Sequence, residues 1–284
     1  MRIIVLTVLA LVAFAANSVL ARLALASPAI DAAGFTGVRL ASGAVVLGVL
    51  LWLRNGSPRV LVQLTGTWAQ SAALFGYAIC FSFAYNLLGA SMGALILFAS
   101  VQIGMVARAV SAGDRPAPLE WIGLVAAAGA FVYLVSSGLA APHPLGAALM
   151  ILAGLCWAGY SLLGRGSSQP LSDTAGNFIR CLPLAMLLII AGVWTGAPRP
   201  EGIILAVASG ALASGLGYAI WYAALPHLSR TRAAVVHLSV PVIAGFGAVV
   251  FIGEALTPRL LVASAVILGG IAVAIVLAGR RRNA

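Results

Sequence analysis

Phe14 and Asn17 stand three residues apart, as do Trp157 and Tyr160, and that step on a helix keeps both side chains on one face. Tyr77 with Phe81, Phe98 with Gln102, and Tyr218 with Trp221 are spaced to pair in the same way. Each pair sets an aromatic ring beside an amide, a hydroxyl or a second ring. A cavity lined by such groups suits a small, partly apolar zwitterion, whereas a phosphate would demand several convergent arginines or lysines. For each residue the alternative is plain interhelical packing. His237 adds an imidazole that can titrate near physiological pH, so proton coupling would have to use it; the other reading is a neutral histidine bonded to a neighbouring helix. Pro241, four residues on, removes a backbone hydrogen bond and predicts a kink that lets its helix bend between states.

Carboxylates are placed differently. Asp31, Asp114, Glu120, Asp173, Glu201 and Glu254 all fall at or beyond the ends of apolar runs, so no acidic group is expected in mid-membrane, where ionisable side chains are costly and usually functional. Arg39 and Arg180 do lie inside apolar runs and need compensation. One reading makes them carboxylate-binding charges; the other has them snorkel or cap carbonyls between repeats. Because they are repeat-related and near opposite faces, the structural reading is preferred. Arg22 and Arg165, at run ends, read as interfacial anchors.

The elements that must carry these residues are membrane helices. The chain is 62% hydrophobic and 8% charged, with mean hydropathy +1.10, far from the quarter of charged residues a soluble domain carries. Its net charge of +10 comes from arginines that punctuate apolar segments, which is the habit of topology determinants and not of a nucleic-acid surface. Cys80, Cys156 and Cys181 lie in apolar runs without the spacing of a disulfide framework or a metal site, so neither metal nor cofactor is expected. Pro, Gly and charge clusters divide the chain into ten spans near 3–24, 32–53, 66–85, 91–110, 119–138, 144–164, 173–194, 202–224, 232–252 and 258–279. Arg2, an apolar run and an A-x-A pattern at Ala24 to Ala26 imitate a signal peptide. The run is too long for that, and part of it recurs later, so it reads as the first span. Most arginines between spans fall on one side, which puts both termini in the cytoplasm of a multi-pass protein of a bacterial inner membrane. Trp52, Trp68, Trp121 and Trp194 fall at span ends, the headgroup level favoured by tryptophan.

The recurrence is extensive. A-F-A-A-N-S-V-L-A-R, Ala13 to Arg22, returns as C-W-A-G-Y-S-L-L-G-R, Cys156 to Arg165. G-V-R-L at Gly37 to Leu40 matches F-I-R-C at Phe178 to Cys181, and A-S-V-Q at Ala99 to Gln102 matches L-S-V-P at Leu238 to Pro241, which sets Phe98 against His237. Residues 1–139 and 140–284 are thus expected to be two five-helix repeats. Five is odd, so the second repeat enters the membrane from the opposite face. An inverted pair with a site between its halves permits alternating access.

With these residues, and with S-V-P-V at Ser239 to Val242 and G-E-A-L at Gly253 to Leu256, the chain resembles the EamA family of the drug/metabolite transporter superfamily. The resemblance covers essentially the whole chain and implies an all-α polytopic fold of ten helices as inverted five-helix repeats. It is most like the YddG-type exporters, which implies export of aromatic and other neutral amino acids. The first repeat has Gln102 and Arg115 where the second has the proline and the glutamate. The first helix lacks the early glutamate with which related small multidrug-resistance proteins exchange protons.

The resulting expectation is a secondary transporter exporting small metabolites by uniport or exchange, its partners a small molecule and the lipid bilayer, with no nucleic acid. An exporter of lipophilic drugs or lipids on the same fold is the alternative. An intramembrane enzyme is disfavoured: L-A-S-G at Leu212 to Gly215 and S-A-G-D at Ser111 to Asp114 each miss the opening glycine of a protease motif, and H-E-x-x-H does not occur. A scaffold would leave the duplication and the mid-span polar groups without a use.

Overall fold

The computed structural model describes residues 2–57, 65–113, 118–135, 142–164, 167–196, 198–228, 236–237 and 239–281. Among them the chain is all helix, with no strand. α1 (Arg2–Leu25), α2 (Ala32–Asn55), α3 (Trp68–Tyr85), α4 (Ala90–Ser111), α5 (Pro118–Val135) and α6 (Pro144–Leu163) lie within a few residues of the expected spans. α7 (Pro170–Arg180) and α8 (Leu182–Thr195) follow, then α9 (Pro200–Val207), which runs through a π-helical stretch, Ala208–Leu216, into α10 (Gly217–Ala224). α11 (Val240–Ile252) and α12 (Pro258–Arg281) complete the order.

The sequence breakers act as helix starts. Pro144, Pro170 and Pro200 each occupy a first turn, where a missing N–H costs nothing. Asp31 caps α2 by accepting from the Gly34 N–H, and Thr67 and Gln70 cap α3 reciprocally. Pro241 also stands in a first turn, that of α11, behind the N-cap Ser239. The expected mid-helix kink at Pro241 bears on the stretch before it, of which 236–237 are helical and 229–235 and 238 lie outside the described residues. A bend lies at Cys181, where α7 and α8 meet at 44°. Pro183 supplies no N–H there and crowds the carbonyl four residues back.

α1 packs against α9, the π stretch, α10 and α11; α2 against α7, α8 and the π stretch; α6 against α3 and α4; α4 also against α11; and α5 against α12. Small residues make the approaches close. A Cβ on Gly37 would lie 2.5 Å from the Ala185 carbonyl of α8, and one on Gly270 would lie 2.4 Å from that of Gly123. The enclosed core holds Phe35, Phe81, Tyr85, Phe178 and Met150. The outer surface is apolar too, with Leu53, Ile122, Leu187, Phe246 and Phe251 exposed. Such continuous apolar exposure fits lipid contact and no aqueous surface. Among the described residues five helices are long and apolar enough to cross a bilayer, six when the bent pair counts as one. The protein is a polytopic membrane protein.

Candidate functional site

Helix faces from both halves of the chain meet around a cavity near the centre of the packing. α1 contributes Phe14, Asn17 and Ser18; α3 contributes Tyr77 and Phe81; α4 contributes Leu97, Phe98 and Val101. Trp157 of α6, Ala213 and Ser214 of the π stretch, Tyr218 of α10 and His237 close it. The cavity volume is about 30 Å³, room for one or two waters. Its size is set by rings in mutual contact. Trp157 meets Tyr77 at 4.8 Å and Tyr218 at 5.4 Å between centroids, while Phe14 meets Tyr218 at 5.6 Å and His237 at 5.3 Å. Stacked, tilted and edge arrangements of this kind are favourable by about 0.5–1.5 kcal/mol each beyond their burial.

One wall is polar. Ser209 donates to Asn17 Oδ1 at 2.6 Å, and Asn17 Nδ2 donates to the Tyr77 hydroxyl at 3.2 Å. The same hydroxyl accepts from Arg39 Nη2 at 3.0 Å, and Arg39 Nε reaches Ser214 Oγ at 3.4 Å. Arg39 is 2% exposed, and its guanidinium lies 4.8 Å from the Phe81 centroid and 5.2 Å from that of Tyr77. Its Nη1 has no hydrogen-bond partner, and neither has His237 Nε2. The π stretch makes the wall possible. Its i→i+5 hydrogen bonding sets residues five apart on nearly one face, so Ser209 and Ser214 both turn toward α1 and α2. A Cβ on Gly210 would fall 2.1 Å from the Arg39 carbonyl.

Residues 144–276 match the EamA-like transporter family. The uncharacterized protein PA1977 of Pseudomonas aeruginosa is 48% identical over 273 residues, covering 95% of this chain and 93% of that protein. The chain carries an EamA-like transporter family domain. It is also 26% identical over 246 residues to the threonine/homoserine exporter RhtA of Escherichia coli K12, covering 83% of this chain and 79% of that one. A solved crystal structure shares the fold with a TM-score of 0.64 at 22% identity, over 95% of this chain and 98% of its own. These likenesses point to a membrane transporter rather than an enzyme.

In this EamA-like chain, most of the residues singled out by spacing meet at one cavity. Two stand behind it: Tyr160 packs on Trp157 at 5.3 Å, and Trp221 on His237 at 4.7 Å. Gln102 lies outside the lining, to which α4 turns Leu97, Phe98 and Val101. Ser18 and Ser214 are additions to the lining, and Ser209 and Arg39 stand behind it, bonded to Asn17 and to Tyr77 and Ser214. The serines carry a signal of their own, since A-S-G recurs five residues apart in A-S-G-A-L-A-S-G-L, Ala208 to Leu216, the period of a π turn. Tyr77 and Tyr218 stand at the same offset as Arg39 and Arg180, and each meets a ring from the other half of the chain, Tyr77 that of Trp157 and Tyr218 that of Phe14.

Arg180 behaves as the structural reading expects, donating to the Thr65 carbonyl at 2.8 Å. Beside it Asn177 Oδ1 accepts from the Thr67 N–H and the Ser71 hydroxyl, clasping the start of α3 to α7. The other end of α3 is held differently. Arg22 donates to the Tyr85 carbonyl at 3.0 Å and lies 3.8 Å from Glu254, whose carboxylate accepts from the Ala90 and Ser91 N–H groups that open α4. Trp52, Trp68, Trp121 and Trp194 are all exposed at helix ends. Arg115 and Arg165 lie outside the described residues.

Proposed function

We propose that this protein is a secondary transporter that exports neutral amino acids or similar small metabolites by alternating access, as uniport or exchange. The observation that carries the reading is the ring-lined cavity with one polar wall, shared by helices of both halves. Rings receive an apolar side chain, and the amide, hydroxyls and guanidinium offer hydrogen bonds to a polar head. At about 30 Å³ the cavity is too small for an amino acid, so the rings about Trp157 must part to admit one. The resemblance to YddG-type exporters favours aromatic and neutral side chains, and the likeness to the threonine/homoserine exporter RhtA favours threonine and homoserine.

The reading carries a topology of ten spans in two inverted five-helix repeats, residues 1–139 and 140–284, both termini cytoplasmic in a bacterial inner membrane. The packing supports it. Exchanging α1 with α6, α2 with α7–α8, α3 with α9–α10, α4 with α11 and α5 with α12 turns α3–α6 into α10–α1 and α4–α6 into α11–α1. The pairs α2–α7/α8, α4–α11 and α5–α12 return to themselves.

The test is uptake of radiolabelled phenylalanine, leucine and threonine into proteoliposomes, with and without a pH gradient. Saturable uptake that falls about tenfold in Trp157→Ala, the cost of about 1.4 kcal/mol of ring contact, is expected. Failure of all three substrates in vesicles holding folded protein would sink the amino-acid reading. Efflux of a lipophilic cation instead would favour a drug exporter on the same fold.

A further inference from the structure

Arg39 is the most anomalous charge in the molecule. It is 2% exposed inside an apolar bundle, yet the ion pairs recorded among the described residues join Arg22 to Glu254 and Arg199 to Glu201 and leave it out. A buried guanidinium without a counter-ion is costly in a medium where charge is poorly screened. Its present partners are neutral: two ring faces, a phenol and a serine hydroxyl. Those partners, Tyr77, Phe81 and Ser214, all line the cavity.

Two donors remain unused at this point. Arg39 Nη1 is buried and bonds to nothing. The Tyr77 oxygen already accepts from Asn17 and from Arg39, so both of its lone pairs are taken and its own proton is left to donate. A cationic N–H and a phenolic O–H on bonded neighbours, neither with an acceptor, are complementary to a carboxylate, and a planar guanidinium is the group best shaped to meet one. Arg180, its counterpart in the second half, is spent on the Thr65 carbonyl and Trp68, so a single anionic group is called for.

We infer that Arg39, with the Tyr77 hydroxyl, receives the carboxylate of the transported molecule, and that the substrates are small organic monocarboxylates, zwitterionic amino acids among them. The inference rests on the transport reading of this cavity and narrows it: the aromatic box holds the apolar body while the Arg39 wall fixes the acid end. The bound carboxylate also supplies the missing counter-charge, so binding stabilises the fold around α2.

The test separates binding from transport. Purified protein in detergent is titrated with phenylalanine, phenylpropionate and phenethylamine while tryptophan fluorescence and the thermal midpoint are followed. The acids are expected to bind at least tenfold more tightly than the amine. Arg39→Gln is expected to abolish that preference and Arg39→Lys to restore part of it, with both variants monodisperse. Equal binding of amine and acids, an undiminished acid preference in Arg39→Gln, or no binding of the acids would overturn the inference. Acid binding by protein that moves none of the acids in proteoliposomes would instead sink the transport reading and leave the carboxylate site standing. Should Arg39→Gln fail to fold, Tyr77→Phe keeps the ring and removes one donor; an acid preference that it leaves unchanged would overturn the shared role of Tyr77.

Discussion

Asn17 shows how much one side chain carries in an apolar interior. Its carbonyl oxygen takes the Ser209 proton and its amide gives one to Tyr77, so it joins α1 to the π stretch and to α3. Asn17→Ala leaves a buried hydroxyl without its acceptor, at about 1–3 kcal/mol. A lower thermal midpoint in detergent is expected, with a smaller loss in Asn17→Ser; equal midpoints for Asn17→Ala and unmodified protein would show that the network is not holding these helices. Spacing alone identified Asn17, because a mid-span amide stands out from Ala, Val and Leu. The role of Arg39 was not legible in the same way. Sequence sets it in a stretch that matches the one around Arg180 and suggests a shared structural task, but partners are fixed by neighbours far along the chain. Arg180 finds a carbonyl before α3, whereas Arg39 finds Tyr77 and Ser214.

At the scale of elements, the prolines and capping residues told where helices begin, since their chemistry is local. They did not tell where helices deform. The 44° bend belongs to Pro183, which spacing did not single out, and the π stretch to a run of Ala, Ser, Gly and Leu. Helix type in that run is decided by tertiary fit: a side chain on Gly210 would strike the Arg39 carbonyl and the Ser42 hydroxyl. Gly210→Ala is therefore expected to abolish the monodisperse peak in fluorescence-detected size exclusion. Gly159→Ala, where a Cβ would meet nothing within 4 Å, should leave the peak intact. A folded, fully active Gly210→Ala would refute the close packing of the π stretch against α2.

For the whole molecule, α3 serves as a strut closed at both ends, and the cavity lies along it. Its 18 residues span about 27 Å, close to the apolar thickness of a bilayer. Glu254→Gln keeps the shape but removes the charge that faces the α4 N-terminus and Arg22. It should cost about 1 kcal/mol, seen as a modest fall in thermal midpoint that Arg180→Gln, at the other clasp, does not copy in its salt dependence. The two clasps differ in kind. One is an ion pair partly open to solvent; the other sets the Arg180 guanidinium on a neutral backbone carbonyl beside an amide and a hydroxyl, with no charge of opposite sign in it. Mobile ions weaken the first and barely touch the second. Electrolyte added to one side of the membrane therefore acts on one closure and not on its opposite number, and the two directions of passage through this protein need not respond alike to the same salt.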